Sequence, residues 1–201
     1  NLPQRCAPHA QFQGVLLRVQ NRFHPPPFGN IDLRPETSKG YDVGIEHSFI
    51  DGRVTASATW FHRKSDDLIA YNPSTFQSEN IGRAKSQGVE LGLVIRPSDN
   101  FDVRANYALV DATTRNPGPN IGNQLARRPR DKASFIADWQ SPIGLKLGGT
   151  LALTGDSFDN IANTVPLDGY WLASVRAAFP ITDQFEIYGR VENLFNEDYT
   201  V

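Results

Sequence analysis

The residues with side chains suited to chemistry fall into five groups. The histidines are His9, His24, His47 and His62. A serine nucleophile needs a histidine within hydrogen-bond reach and a polar group to orient it. His47 and Ser48 are chain neighbours, and in a strand neighbours face opposite ways, so that pair fails. Ser48 with His62, or Ser57 with His47 or His62, stays open on sequence alone, and the expectation is that the chain is not an enzyme. Cys6 is the single cysteine, which permits no internal disulfide and supplies no metal spacing. Asp156, Asp159 and Asp168, with Asn160, offer the oxygen donors calcium prefers at close range. EF-hand spacing is absent, so calcium is the one cofactor considered and none is expected. Arg127-Arg128-Pro129-Arg130 closes a polar stretch and offers contacts to an anionic ligand or to phosphate groups. The plainer reading is a solvated rim.

The fifth group is larger and periodic. Asp42, Glu46, Glu90, Arg104, Lys132, Asp138, Arg176, Glu186, Arg190 and Glu192 alternate with apolar residues. The elements that position them must therefore be strands with one apolar and one polar face. Tyr41, Val43, Ile45 and Phe49 alternate with Asp42, Gly44, Glu46 and Ser48. Asp51-Gly52 follows, a two-residue hairpin signal. Val54, Ala56, Ala58 and Trp60 return. Val89–Ile95 and Phe101–Leu109 repeat the plan around a turn at 97–100. Ala133–Trp139 and Leu145–Leu153 repeat it around 141–144, and Trp171–Phe179 and Phe185–Val191 around 180–183.

Eight strands in four hairpins result, each about 10–13 residues long. Soluble strands average about 5–6 residues, whereas a tilted transmembrane strand needs about 9–11. The turns at 51–52, 97–100, 141–144 and 180–183 are tight. The connections at 66–84, 112–130 and 156–166 are long. Short turns at one end and long loops at the other is the pattern of outer-membrane barrels. Aromatic residues close the apolar faces, as in interfacial girdles. The hydrophobic content of 39%, the charged content of 21% and the net charge of -2 fit this reading, because alternation keeps mean hydropathy near that of a soluble chain. They advertise neither a nucleic-acid nor an anionic-lipid partner. A soluble β-sandwich is the competing fold, with the same aromatics in a core.

Several segments resemble the C-terminal barrel of TonB-dependent outer-membrane receptors. Phe28-Gly29-Asn30-Ile31-Asp32-Leu33-Arg34-Pro35-Glu36-Thr37-Ser38 is similar to the family's entry into a barrel strand, with Ile31 where proline is usual. Asp67-Leu68-Ile69 after Phe61-His62-Arg63 resembles a family strand end. Asn80-Ile81-Gly82-Arg83-Ala84 with Gly88-Val89-Glu90-Leu91, then Arg128-Pro129, then Val191-Glu192-Asn193-Leu194-Phe195 with Tyr199, complete five matches in order. The cobalamin-receptor branch is the nearest in pattern.

The resemblance implies an all-β fold, an antiparallel transmembrane β-barrel portion in the bacterial outer membrane. It implies energy-coupled uptake of a scarce nutrient, cobalamin or a ferric siderophore. The implied partners are outer-membrane lipid, the TonB complex and that ligand. Cobalamin receptors of this type can use calcium in outer loops. Lumen-facing candidates are Glu46, Glu90, Arg104, Arg176, Arg190 and Glu192; loop candidates for ligand contact are Arg127, Arg128 and Arg130. The expected organisation is an atypical segment over 1–29, a loop or partial strand, and a partial barrel over 30–201. About eight strands, without a plug or a last strand, are fewer than the family's roughly 22, so a fragment is expected. The alternative is a small passive or structural outer-membrane barrel without TonB coupling.

Overall fold

The computed structural model describes residues 7–11, 14–17, 30, 32–72 and 75–200. Its elements are strands: β1 (Ala7–Gln11), β2 (Gly14–Leu17), β3 (Glu36–Phe49), β4 (Val54–Asn72), β5 (Gln77–Ser98), β6 (Phe101–Thr114), β7 (Asp131–Gln140), β8 (Lys146–Thr154), β9 (Ser157–Phe158), β10 (Pro166–Leu167), β11 (Tyr170–Thr182) and β12 (Phe185–Val191). Ten of them form one antiparallel sheet. From β3 to β8, and on to β11 and β12, each strand lies beside the next in sequence, while β1 and β2 both pair with β3. The short β9–β10 ribbon stands apart in the last long connection.

Register turns the sequence alternation into two continuous faces. One row across the sheet reads Ile45, Ala58, Leu91, Tyr107, Ala133, Leu153, Trp171. One residue away, on the other face, the row reads Glu46, Ser57, Gly92, Asn106, Ser134, Ala152, Leu172. Among the described residues, nothing covers the apolar face. Val43 is 54% exposed and Phe135 48%, and Ala112 is the only buried apolar residue among those described. A soluble sandwich would bury this face against a second sheet about 10 Å away. Among the described residues the only other sheet is the β9–β10 ribbon. Lipid is the solvent that suits such a face, and the sandwich reading fails here.

Aromatic residues close the apolar face at both ends. Tyr41, Trp60 and Trp171 lie toward the long connections; Phe49, Trp139 and Phe179 lie toward the tight turns. Tyr41 to Phe49 spans about 26 Å along β3, at roughly 3.3 Å per residue. A tilt near 40° reduces this to roughly 20 Å, close to the apolar band of an outer-membrane barrel. The sheet is open: its path runs from β1 to β12 without pairing the two edges. The described residues therefore form an arc of a barrel, not a small closed one.

Two expectations about the connections need correction. The segment 66–84 is mostly ladder, because β4 runs 19 residues and β5 runs 22. Pairing continues past a bulge to Asn72 opposite Gln77. Polar side chains gave that segment a loop-like composition, but backbone pairing does not require apolar side chains outside the membrane. The first turn is also longer than two residues. Phe49 pairs with Val54, and Ile50, Asp51 and Gly52 all take positive φ. Gly52, at φ 83°, suits the last of these without a steric penalty. Of the other expected turns, 141–144 lies where the sequence places it, whereas 97–100 and 180–183 shorten to 99–100 and 183–184, because Pro97-Ser98 continue β5 and residues 180–182 continue β11.

Candidate functional site

The polar face carries its densest charge at the tight-turn end. Asp102 lies directly opposite Asp138, and Arg176 directly opposite Arg190. Like charges so placed repel, and ion pairs along a strand and across strands offset both conflicts. Arg104 donates to Asp102 at 2.7 Å and reaches Asp138 at 3.5 Å. Arg176 donates to the other oxygen of Asp138, Arg190 pairs with Glu192, and Lys146 meets Glu186 at 2.8 Å. Arg176 reaches Asp138 by crossing β8 at Gly148. A Cβ there would stand 2.5 Å from Arg176 Nε and 2.6 Å from Asp138 Oδ1. A concavity of about 640 Å³ opens over this network. Of the six lumen candidates, Arg104, Arg176, Arg190 and Glu192 thus belong to one cluster. Glu46, opposite Ser57, and Glu90, opposite Thr59, lie on the same face in other rows.

At the opposite end, the two long connections around β7 and β8 interlock into a rim. Arg127 pairs with Asp159 at 2.6 Å, and its amide donates to the Phe158 carbonyl at 2.7 Å. Asn163 accepts from the Gln124 amide at 2.8 Å and donates to the Gln124 carbonyl at 3.0 Å. Asn123 donates to the Ile161 carbonyl at 3.0 Å. Within the second connection, Asn160 accepts from the Thr164 amide at 3.0 Å. The arginine cluster therefore divides: Arg127 fastens the rim, while Arg128 and Arg130 stand exposed on it. The roles of Asn123, Gln124, Asn160 and Asn163 were not legible in the sequence. Their abundance marks turns, but nothing local names a partner about 39 residues away.

The remaining candidates do not assemble. Asp159 is engaged by Arg127, Asp156 accepts from the Gly169 amide at 2.7 Å, and Asp168 is exposed. Among the described residues no three histidine, cysteine, aspartate or glutamate side chains are grouped to hold a metal ion. Ser48 bonds Thr55 at 2.9 Å on the polar face, where Ser57 also lies. His47 and His62 lie on the apolar face, against Phe49 and Tyr41. None of these serines shares a face with either histidine. Cys6 and His24 lie outside the described residues.

The motif segments themselves have a structural logic. Asp67, at φ 56°, forms the bulge in β4. Around it, Arg34 pairs with Asp67 at 2.9 Å, and Glu36 accepts from the Ile69 amide at 2.8 Å. Asn80 donates to the carbonyls of Arg34 and Asp67 at 2.9 Å and 2.7 Å. Gly82 leaves room for Leu68, whose Cβ would lie 2.5 Å from an added methyl. Three segments far apart in sequence thus build one joint. Near the end of the chain, Asn193 and Asn196 take positive φ, and the Leu194 amide donates to the Ala173 carbonyl at 2.8 Å, beyond the last β11–β12 pair.

Comparison with known proteins agrees with this architecture. The family model described as TonB dependent receptor-like, beta-barrel matches residues 11–194. The vitamin B12 transporter BtuB of Photobacterium profundum is 31% identical, over 89% of this chain and 29% of its own length. The chain thus spans less than a third of that relative. Among solved structures, the copper transporter OprC superposes with a TM-score of 0.73 at 20% identity, covering 100% of this chain and 33% of its own. The ferric yersiniabactin uptake receptor FyuA from Yersinia pestis superposes with a TM-score of 0.71 at 20% identity, covering 96% and 29%. At those identities the structural likeness speaks for the fold. A two-faced open sheet, an interlocked rim and a family match along nearly the whole chain lead to one conclusion: the chain belongs to the TonB-dependent receptor family and forms part of its barrel in the bacterial outer membrane.

Proposed function

We propose that the protein serves TonB-coupled uptake of a scarce nutrient across the outer membrane, with cobalamin as the first candidate and a ferric siderophore as the second. The observation that carries this reading is the identity of 31% with a vitamin B12 transporter along 89% of the chain. The geometry is compatible with it in two ways. The rim holds Arg128 and Arg130 exposed at the end with the long connections, where a ligand arriving from outside would meet them. The charge cluster lies on the inner face near the tight turns, the end from which a TonB complex acts. There the concavity of about 640 Å³ presents Arg104, Asp138, Arg176 and Arg190 to whatever segment fills the barrel.

The test is transport by the complete polypeptide that its gene encodes, expressed in a strain lacking its own cobalamin receptor. Labelled cobalamin uptake is expected, and deleting TonB from the host should abolish it. Uptake that persists without TonB would overturn the coupled reading. Uptake of ferric siderophores but not cobalamin, again TonB-dependent, would retain the coupling and change the cargo.

A further inference from the structure

Hydrogen bonds fasten the rim in three directions. The first connection folds back on its own strand. Thr113 and Gln124 form a β-bridge, the Thr114 amide donates to the Asn123 carbonyl at 2.9 Å, and the Leu125 amide donates to the Ala112 carbonyl at 2.8 Å. This connection is also tied sideways to β5. The Arg115 amide donates to the Arg83 carbonyl at 2.9 Å, and Asn116 accepts from the Arg83 amide at 2.5 Å. The second connection is braced by the β9–β10 ribbon, whose end is closed by the Asp159 amide donating to the Val165 carbonyl at 2.9 Å. At its base the Gly155 amide donates to the Asp131 carbonyl at 2.8 Å. Across the seam between the two connections run the Arg127–Asp159 ion pair, the Arg127 amide bond and the bonds of Asn123 and Asn163.

Asn163 holds the seam for a chemical reason. A carboxamide carries an acceptor oxygen and a donor nitrogen on one carbon, the same two kinds of group that a strand residue presents to its neighbour. Asn163 offers them to the amide and the carbonyl of Gln124, at 2.8 Å and 3.0 Å, and so stands in for a ladder partner. Its φ of 55° lies in the left-handed region, where asparagine is enriched. An aspartate there would bring a second acceptor against the Gln124 carbonyl. Parting the connections breaks the bonds of Asn123, Arg127 and Asn163 together, because all of them cross one seam. Segments that open readily carry few such contacts. We infer that 112–130 and 155–169 form one fixed wall above β5 to β11 throughout uptake, and that narrowing of the mouth around cargo is left to other segments of the complete protein. The inference goes beyond the uptake reading, which does not say whether the long connections move.

Spin labels are attached through I121C and V165C, one exposed position on each connection, in the complete polypeptide freed of its native cysteines. The distance between them is read by pulsed electron paramagnetic resonance without cargo, with cyanocobalamin and with a ferric hydroxamate siderophore. One narrow distribution is expected, shifting by less than about 2 Å among the three conditions. A second population or a larger shift would overturn the inference. Asn163→Asp in the labelled protein should broaden the distribution, while heat-modifiable migration in gels shows an intact barrel. An unchanged width would overturn the role given to Asn163. As a second measurement, N123C and I161C are joined by a short bismaleimide linker, and the linked protein is expected to take up cargo as fast as the unlinked one. Loss of uptake on linking would mean that the connections must part, and the wall would be refuted. If the unlinked protein takes up neither cargo, the uptake reading fails, and the distance distribution without cargo still decides this inference.

Discussion

An arginine placed on the apolar face tests the orientation of the whole sheet. Leu91, on β5, is 44% exposed and stands between Ala58 and Tyr107. It lies about midway between the aromatic ends of that face, as does Leu151 on β8. If lipid covers this face, Leu91→Arg and Leu151→Arg place a guanidinium near the bilayer mid-plane. The cost for a barrel is about 2–4 kcal/mol there, falling to about 0–1 near the interfaces. That range is roughly 30-fold to almost 1,000-fold in the folding equilibrium. Thr150 is the control, one residue from Leu151 on the opposite face and paired with Ile136 and Ser174. An arginine at that position enters a polar lumen and should cost well under about 1 kcal/mol. The assay is urea unfolding of the complete polypeptide in phospholipid vesicles, followed by tryptophan fluorescence. Equal effects at 150 and 151, or the larger one at 150, would refute the assignment of faces.

Further outcomes concern the charge network and the rim. Asp138→Ala removes the acid shared by Arg104 and Arg176, whose side chains are 47% and 48% exposed. At that exposure the loss should be about 1 kcal/mol, measured by the same unfolding assay and reduced in 1 M salt. Gly148→Val should cause a similar loss by pushing Arg176 off Asp138, and the two changes should fall short of additivity in a double-mutant cycle. Asn163→Ala removes both bonds to Gln124. Limited trypsin digestion should then cut after Arg127 or Arg130 on the order of 30-fold faster, at about 1 kcal/mol per lost hydrogen bond. Asp159→Ala should show the same acceleration to a smaller extent, because its partner Arg127 is 57% exposed.

Much of this protein is legible in the order of its residues. Alternation is a local property, so Tyr41–Phe49 and Trp171–Phe179 declare their apolar and polar faces without help from the rest of the chain. The tight turns near 51, 99, 142 and 183 are equally local, because glycine, asparagine, aspartate and proline act on their own backbone. The lumen candidates followed from the same parity. What only the tertiary structure decided is which strand residues stand side by side. Register is set between segments distant in sequence, and a polar stretch bears the same composition whether it pairs or loops. Hence 66–84 read as a connection although β4 and β5 pair through most of it. Hence Asn163 gave no sign of Gln124, and Arg176 none that Gly148 would let it cross to Asp138. Asp102 and Asp138 are two scattered acids in the sequence. They stand directly opposite each other because the hydrogen-bond ladder fixes strand alignment to the residue, and a slip of one position would turn one of the two to the other face.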